Sequence, residues 1–96
     1  MELVYLEDLR KEADLTPTQV LKAFRDVAPD LAPKERSGVV HWEQQGILDF
    51  RIIDTLAVVY GRSTFVVKAA ALASKARFNA RRKNVTRLVS FPIDTM

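Results

Sequence analysis

The stretch that decides the fold is VYLEDLRKEADLTPTQVLKAF, residues 4–24. In its first half, apolar residues recur at helical spacing, at Leu6, Leu9 and Ala13. This spacing predicts a short helix with one apolar face. Thr16 is suited to cap a second helix, and Pro17 fits its first position, where the missing N–H costs nothing. The apolar face of that second helix consists of Val20, Leu21 and Phe24.

Two short helices joined by a tight turn, the second polar on its outer face, are the layout of a helix-turn-helix. The polar face carries four candidate base-contacting residues, Thr18, Gln19, Lys22 and Arg25. Glutamine and arginine side chains read adenine and guanine edges in the major groove. We therefore predict that helix 17–27 reads double-stranded DNA. The alternative is an ordinary αα-hairpin inside a small helical domain.

The composition favours one small globular domain. The chain has 96 residues, of which 48% are hydrophobic, enough for a small core. No apolar run approaches the roughly 20 residues that cross a bilayer, and the acidic N-terminus lacks a secretion signal. The absence of cysteine excludes disulfides and thiolate metal sites and fits a reducing compartment. We therefore expect a cytoplasmic protein that does not engage a membrane.

Charge is distributed unevenly along the chain. Residues 1–61 carry 7 Lys and Arg against 11 Asp and Glu, a net of −4, whereas residues 62–96 carry 8 against 1, a net of +7. Basic clustering indicates a polyanionic partner, nucleic acid first; a solvated helix face is the alternative. The residues predicted to contact the DNA backbone are Lys34, Arg36, Lys68, Lys75, Arg81, Arg82 and Lys83. A minor alternative is an RNA-binding helix at 75–87.

The segment after the second predicted helix contains a candidate wing. Pro29 and Pro33 predict that the helix ends near residue 27 or 28, because a residue before proline is pushed out of the helical region. Ser37-Gly38 is a turn signal, and Val39, Val40 and Trp42 favour a strand, with the tryptophan as a core anchor. A basic loop that leads into a strand after a helix-turn-helix is typical of a wing.

Residues 43–60 fit either a strand pair or a helix. The length of the apolar periodicity favours a helix from residue 44 or 45 to Tyr60, capped by Gly61. Ser63 then caps a basic helix, and residues 85–91 are expected to form a short strand or an extended arm. We assign residues 1–62 to the helix-turn-helix. Residues 63–96 form a basic helix and tail, part of the same domain or a dimerisation element.

A seam of apolar residues runs along the helix after Ser63. It consists of Phe65, Ala69, Leu72 and Ala76, at spacings of four and three. Such a seam lets another helix approach closely. It predicts a homodimer, because two-fold pairing is the usual way to double the base contacts of a helix-turn-helix. The alternative is that the seam packs on Ile53, Leu56 and Tyr60 of the same chain.

No catalytic constellation is present in the sequence. His41 is the single histidine and has no cysteine partner, and Asp49 and Asp54 fall on different faces of the predicted helix. The three glycines are isolated and form no phosphate loop. We therefore expect no enzymatic activity, no metal, no cofactor and no small-molecule ligand.

These parts together resemble the winged helix-turn-helix of the MerR family and the related phage excisionase and terminase-small-subunit domains. The matching parts are Tyr5, Leu6, Leu9 and Ala13, then Leu15-Thr16-Pro17 with residues 18–24, then Arg36-Ser37-Gly38 to Trp42, and finally Ile47 to Tyr60 with Gly61-Arg62-Ser63. The resemblance implies a mainly α fold: a small winged helix-turn-helix with a short β wing, two further helices and a short C-terminal extended arm. It also implies a small sequence-recognising DNA-binding protein, either a transcriptional regulator or a phage or plasmid accessory factor.

The sequence departs from the family pattern in the second helix and after it. Residues 21–24 replace the arginine and tyrosines usual in the family's recognition helix, and Asp26 and Asp30 make the following link acidic. Without cysteine, the chain cannot be a metal sensor of the family's type. The chain is therefore closer to a phage- or plasmid-type small regulator than to a ligand-sensing activator. The acidic first half leaves a second hypothesis, a non-enzymatic protein-interaction adaptor or inhibitor that keeps the fold without binding DNA.

Overall fold

The computed structural model describes residues 3–94, with side chains described for residues 3–82. Within that part the chain forms five helices and no strand: α1 (Leu6–Glu12), α2 (Pro17–Val27), α3 (Arg36–Gln45), α4 (Phe50–Tyr60) and α5 (Thr64–Asp94). The mainly α prediction is confirmed. The predicted β wing is wrong, because α3 occupies its place. The predicted C-terminal arm is also wrong, because α5 continues through residues 85–91 as a helix.

The two predicted helices, α1 and α2, and the short turn between them are confirmed. Asp14 adopts a left-handed conformation with φ 58° in the turn between the two helices. Thr16 caps α2 reciprocally: its Oγ1 accepts the Gln19 N–H at 3.2 Å, and Gln19 Oε1 accepts the Thr16 N–H at 2.8 Å. Pro17 occupies the first helical position, and α2 ends at Val27 as predicted.

The segment predicted as a strand is the helix α3. Helical geometry places Val39 and Glu43, four residues apart, on its buried face. It also places Trp42 against Phe24 of α2, with ring centroids 5.2 Å apart. This packing outweighs the β-propensity of the valines, because strand propensity largely reflects side-chain packing in a given context. Trp42 is therefore a half-buried core partner on a helix.

The helix predicted from residue 44 or 45 to Tyr60 begins later than expected. Gly46 has φ 83°, which ends α3, and a Cβ atom at this position would lie 2.7 Å from the backbone nitrogen of Lys75. The chain then continues as a loop to Asp49, whose Oδ1 accepts the Arg51 N–H at 2.9 Å and caps α4. The predicted helix is therefore correct only from residue 50.

The turn between α4 and α5 forms as predicted. Gly61 adopts the left-handed conformation at φ 65° and closes α4. Ser63 Oγ accepts the Val66 N–H at 3.2 Å and caps α5.

The core lies between α2 and α5, with α1, α3 and α4 around it. α2 packs against α3 and α4, and α5 packs against α1, α3 and α4. The largest fully buried apolar side chains are Leu6, Leu9, Val20, Phe24, Val39, Leu56 and Val67. Ser74 of α5 is also fully buried, and its Oγ accepts the Leu6 N–H at 3.2 Å, which satisfies a free donor at the start of α1. α3 and α4 each pack against both α2 and α5.

The described helices differ in length and apolar content, the two properties that a membrane span requires. No single one of them is long and apolar enough to cross a bilayer. α4 and the first part of α5 reach that threshold only as a pair, with a bend of 117° between them.

Candidate nucleic-acid interface

The four residues predicted to contact bases all lie exposed on α2. Two of them are already engaged within the chain. Gln19 uses its side-chain oxygen in the cap of α2, and Arg25 donates from Nη2 to the carbonyl oxygen of Lys34 at 2.7 Å. Thr18 and Lys22 make no side-chain hydrogen bond to the described part of the chain. These two side chains therefore form the available polar surface of α2.

The residues predicted to lie in a wing instead flank the start of α3. Lys34 is exposed in the link before the helix, and Arg36 is the first residue of α3. The outer face of α3 and the start of α2 enclose a cleft of about 390 Å³. It is lined by Pro17, Arg36, Ser37, Val40, His41 and Gln44. The α3 surface therefore takes the position beside α2 that the sequence assigned to a wing.

A second cleft, of about 300 Å³, lies where α1, α3 and α5 meet. It is lined by Glu7 and Arg10 of α1, Val40, Glu43 and Gln44 of α3, and Arg77 and Arg81 of α5. Val40 and Gln44 line both clefts, so the two lie side by side on the outer face of α3. We call the two neighbouring clefts together the α3 groove. It runs from the start of α2 to the two arginines of α5.

An ion pair between Arg10 and Glu43 forms the floor of the second cleft. Arg10 Nε donates to Glu43 Oε2 at 2.8 Å, and Arg10 Nη1 donates to the carbonyl oxygen of Leu15 at 3.0 Å. The hydrogen bond to Glu43 raises the pKa of Arg10 above its usual value. The pair ties α1 and its following turn to α3.

Arg77 lies beside this pair, on α5. Its guanidinium carbon is 4.0 Å from the centroid of the Tyr5 ring, a cation–π contact. Nη2 donates to the backbone carbonyl oxygen of Glu43 at 3.5 Å. Its Nε is buried and has no hydrogen-bond partner among the described residues. The guanidinium is therefore held in place while one donor stays unsatisfied.

The acidic residues of the α3 groove are both bound by cations of the chain. Glu43 is held by Arg10, and Glu7 pairs with Lys11 at 2.8 Å. The hydrogen bond from Lys11 lowers the pKa of Glu7. Among the described side chains, the groove arginines that have no acidic partner are Arg36, Arg77 and Arg81. The groove therefore carries uncompensated positive charge.

The predicted basic flank of α5 lies away from this groove. Lys68 Nζ sits 5.0 Å from the ring centroid of Phe50, at the start of α4. Lys75 packs against Gly46 in the loop between α3 and α4. The seven-residue repeat places Arg82 on the same side of the helix. The side chain of Lys83 lies outside the described residues. Of the predicted backbone-contacting residues, Arg36 and Arg81 line the groove, whereas Lys68, Lys75 and Arg82 do not.

The predicted dimer seam faces away from the core. Phe65 is 84% exposed and Leu72 is 49% exposed, and Ala69 and Ala76 are exposed as well. The opposite face of α5 is buried, through Val67, Ala70, Ala71 and Ser74. The seam therefore does not pack on Ile53, Leu56 and Tyr60, and the intramolecular alternative is wrong.

Several groove residues were not selected by sequence reasoning. Arg10 and Glu43 are 33 positions apart, and no local pattern links residues at that distance. His41 was expected on a strand but is exposed on α3. Arg77 precedes Arg81 by one helical turn, and this spacing was the signal that could have identified it. Within the described residues, no group of three or more metal-ligating side chains is placed to hold a metal.

Comparisons of the chain with known protein families, with curated proteins and with solved structures give no match. The functional assignment therefore depends on the groove and on α2.

Proposed function

We propose that this protein is a small, non-enzymatic DNA-binding protein of the cytoplasm that docks a duplex on the α3 groove and the exposed face of α2. The observation that carries the proposal is the charge of the groove. Arg36, Arg77 and Arg81 have no acidic partner among the described side chains, whereas Glu7 and Glu43 are neutralised within the chain. Uncompensated arginines arranged along a groove suit a phosphate backbone, which dominates DNA affinity.

In this proposal the reading helix remains α2. Its resemblance to a helix-turn-helix and its capped, exposed first turns support entry into a major groove. Thr18 and Lys22 are the side chains available for base contacts, and Gln44 of α3 offers a further exposed amide. The groove arginines would set the register of the duplex, because phosphate contacts position a protein without reading sequence.

The test begins with selection of a preferred duplex from a random library. Lys22→Ala is expected to weaken binding to the selected site more than to random DNA, by about 1–3 kcal/mol of discrimination. Lys68→Ala, which removes the same charge from an exposed position on α5 outside the groove, is the matched control. Equal losses on both DNAs would assign Lys22 to phosphate contact, and no loss would remove α2 as the reading helix.

We also propose that the protein pairs with a second copy through the seam. The seam is fully presented on the outer face of α5, and it lies on a helix of 31 residues, about 46 Å long. Its spacing of four and three is that of a coiled coil, in which such residues insert into a facing helix. A second copy would remove Phe65 and Leu72 from water and present two grooves.

The charges beside the seam favour a parallel pair. One flank carries the basic residues Lys68, Lys75 and Arg82, and the other carries Val66, Ala73 and Ala80. In a parallel pair, the basic flank of one copy meets the small apolar flank of the other. In an antiparallel pair, the two basic flanks would meet and repel each other. Charge therefore selects the parallel arrangement.

The second candidate function, a protein-interaction adaptor, is favoured by the same exposed seam, because contiguous apolar surface commonly marks a protein contact. A protein that stays monomeric and does not bind duplex DNA at low salt would support the adaptor over the DNA-binding proposal.

A further inference from the structure

The cleft at the junction of α1, α3 and α5 has the size and lining of a site for a small polar ligand. Its volume is about 300 Å³, at the lower end of ligand pockets in proteins. Val40 is its one apolar side chain, so the cleft offers little to an apolar ligand. The remaining walls are charged or amide side chains, which favours a ligand that accepts hydrogen bonds.

The charge of the side chains that line the cleft favours an anionic ligand. The carboxylate of Glu43 is occupied by Arg10 at 2.8 Å, and Glu7 is occupied by Lys11 at 2.8 Å. Arg77 and Arg81 lie one helical turn apart on α5 and are not paired with an acid among residues 3–82. Two guanidinium groups therefore face the cleft without a salt bridge of their own, and Glu7 interacts with Arg77 only at longer range, as a minor cause of the lowered pKa of Glu7.

Arg77 is already held in the orientation that a site requires. The Tyr5 ring, 4.0 Å from the guanidinium carbon, supports one face, and the Glu43 carbonyl oxygen accepts from Nη2. A fixed guanidinium loses little conformational entropy when a ligand binds. Its Nε is buried without a partner in the described structure, so Nη1, which makes no hydrogen bond to the described residues, is the nitrogen left for a ligand.

We infer that this cleft is a binding site for one phosphate group, with Arg77 and Arg81 as its cationic ligands and the Gln44 amide as an additional donor. A guanidinium fork matches phosphate oxygens in bidentate geometry, which a lysine ammonium cannot do. The inference rests in part on the proposed function, because the cleft is one of the two neighbouring clefts of the α3 groove. A backbone phosphate of a bound duplex or a free phosphate compound would supply the same group.

The test is titration of the full chain with inorganic phosphate at constant ionic strength, followed by nuclear magnetic resonance of the arginine side chains. The wild type is expected to show saturable shifts of the Arg77 and Arg81 signals. Arg77→Gln and Arg81→Gln are each expected to weaken phosphate binding about tenfold, the loss expected for one charge-assisted contact. Arg82→Gln, which makes the same substitution on the other side of α5, is expected to bind like the wild type.

A second arm adds duplex DNA and asks whether it displaces phosphate from the cleft. Displacement identifies the DNA backbone as the source of the phosphate group that the cleft binds. Saturable phosphate binding without DNA binding identifies a free phosphate compound as that source. Both outcomes support the site. Linear shifts that never saturate, or equal losses in Arg81→Gln and Arg82→Gln, overturn it. DNA binding that is weakened in Arg77→Gln and Arg81→Gln, together with no saturable phosphate binding, overturns the site but leaves the proposed function standing, whereas DNA binding that neither substitution changes overturns both. Arg81 is exposed, so its variant remains informative if Arg77→Gln does not fold.

Discussion

Arg10 Nε and Glu43 Oε2 lie 2.8 Å apart across the junction of α1 and α3. The two side chains are only 14% and 8% exposed, so solvent and salt screen the pair weakly. Because Arg10 also donates to the Leu15 carbonyl oxygen, the same guanidinium fixes the turn before α2. The pair therefore holds the helix-turn-helix against the helix that forms the base of the α3 groove.

Removal of one partner of this pair should destabilise the protein strongly. Glu43→Ala would leave the Arg10 guanidinium buried and unpaired, which typically costs about 3–5 kcal/mol. Urea unfolding followed by circular dichroism measures the loss. The double variant Arg10→Met with Glu43→Met should lose less than the single variant, because no charge remains buried.

The exposed pair of Lys11 and Glu7 provides the comparison. Lys11→Ala should cost less than about 1 kcal/mol, because exposed ion pairs contribute little. If Glu43→Ala and Lys11→Ala had the same small effect, the buried pair would not hold α1 to α3.

Phe24 and Trp42 are in contact, but their replacement by alanine should reduce the stability of the protein by different amounts. Phe24 is fully buried, so Phe24→Ala should cost about 3–5 kcal/mol and unfold most of the protein. Trp42 is half-buried and should cost less when replaced by alanine. Thermal melting of both variants checks the order, and a larger loss for Trp42→Ala would contradict the half-buried position of Trp42.

The free energy of unfolding should fall at alkaline pH because of the ionisation of Tyr60. Burial raises the pKa of the Tyr60 phenol well above its ordinary value of 10.0. Above pH 10.0 the unfolded chain releases this proton while the folded chain keeps it, so the free energy of unfolding falls as pH rises. Below that pH the group has no effect. Tyr60→Phe should reduce the alkaline loss, as measured by urea unfolding across pH, and this comparison separates Tyr60 from the lysines that ionise in the same range. A variant with the same alkaline loss as the wild type would show that the phenol is hydrated in the folded state.

The parallel dimer predicts which introduced cysteines will cross-link. The natural sequence has no cysteine, so Ala76→Cys supplies a single thiol. In a parallel pair the two copies of this residue face each other, and oxidation should link them; the same should hold separately for Phe65→Cys. In an antiparallel pair, at most one of these two positions can lie opposite the same position of the second copy. Linkage at only one of them would therefore contradict the parallel arrangement.

Sedimentation tests whether the pair exists at all. Wild-type protein should sediment as a dimer at micromolar concentration, and Leu72→Asp should sediment as a monomer. Val58→Asp places the same charge on an exposed apolar position of α4 outside the seam and should remain dimeric. A monomeric wild type would remove the dimer from the proposal.

The parts of the fold that could be predicted are those set by local chemistry. Thr16-Pro17 and Ser63 begin helices, and Gly61 ends one, because each acts through hydrogen bonds or backbone angles within its own turn. The apolar spacing of α1 and α2 was equally local. These signals therefore predicted α1, α2 and the turn between them.

The prediction of a β wing was wrong because it depended on local propensities, whereas distant contacts decide the structure of this segment. Val39 and Val40 favour a strand by propensity, yet Val39 and Glu43 are buried together only on a helix, next to Phe24 and Arg10. The predicted helix from residue 44 or 45 runs through Gly46, whereas the structure ends α3 there, at φ 83° and in close approach to Lys75. The α3 groove depends on these distant contacts, so the sequence identified Arg36 and Arg81 without the cleft that contains them.

The measurement that tests the central proposal most directly is binding of random duplex DNA across a salt series. We predict measurable binding at low salt, with the logarithm of the association constant falling linearly against the logarithm of salt concentration. Substitution of glutamine for both Arg36 and Arg81 should make the slope shallower by about two, one for each lost phosphate contact, while Arg82→Gln leaves the slope unchanged. Absence of binding at low salt, or a slope that Arg82→Gln changes as much as a groove substitution does, would contradict a DNA interface on the α3 groove.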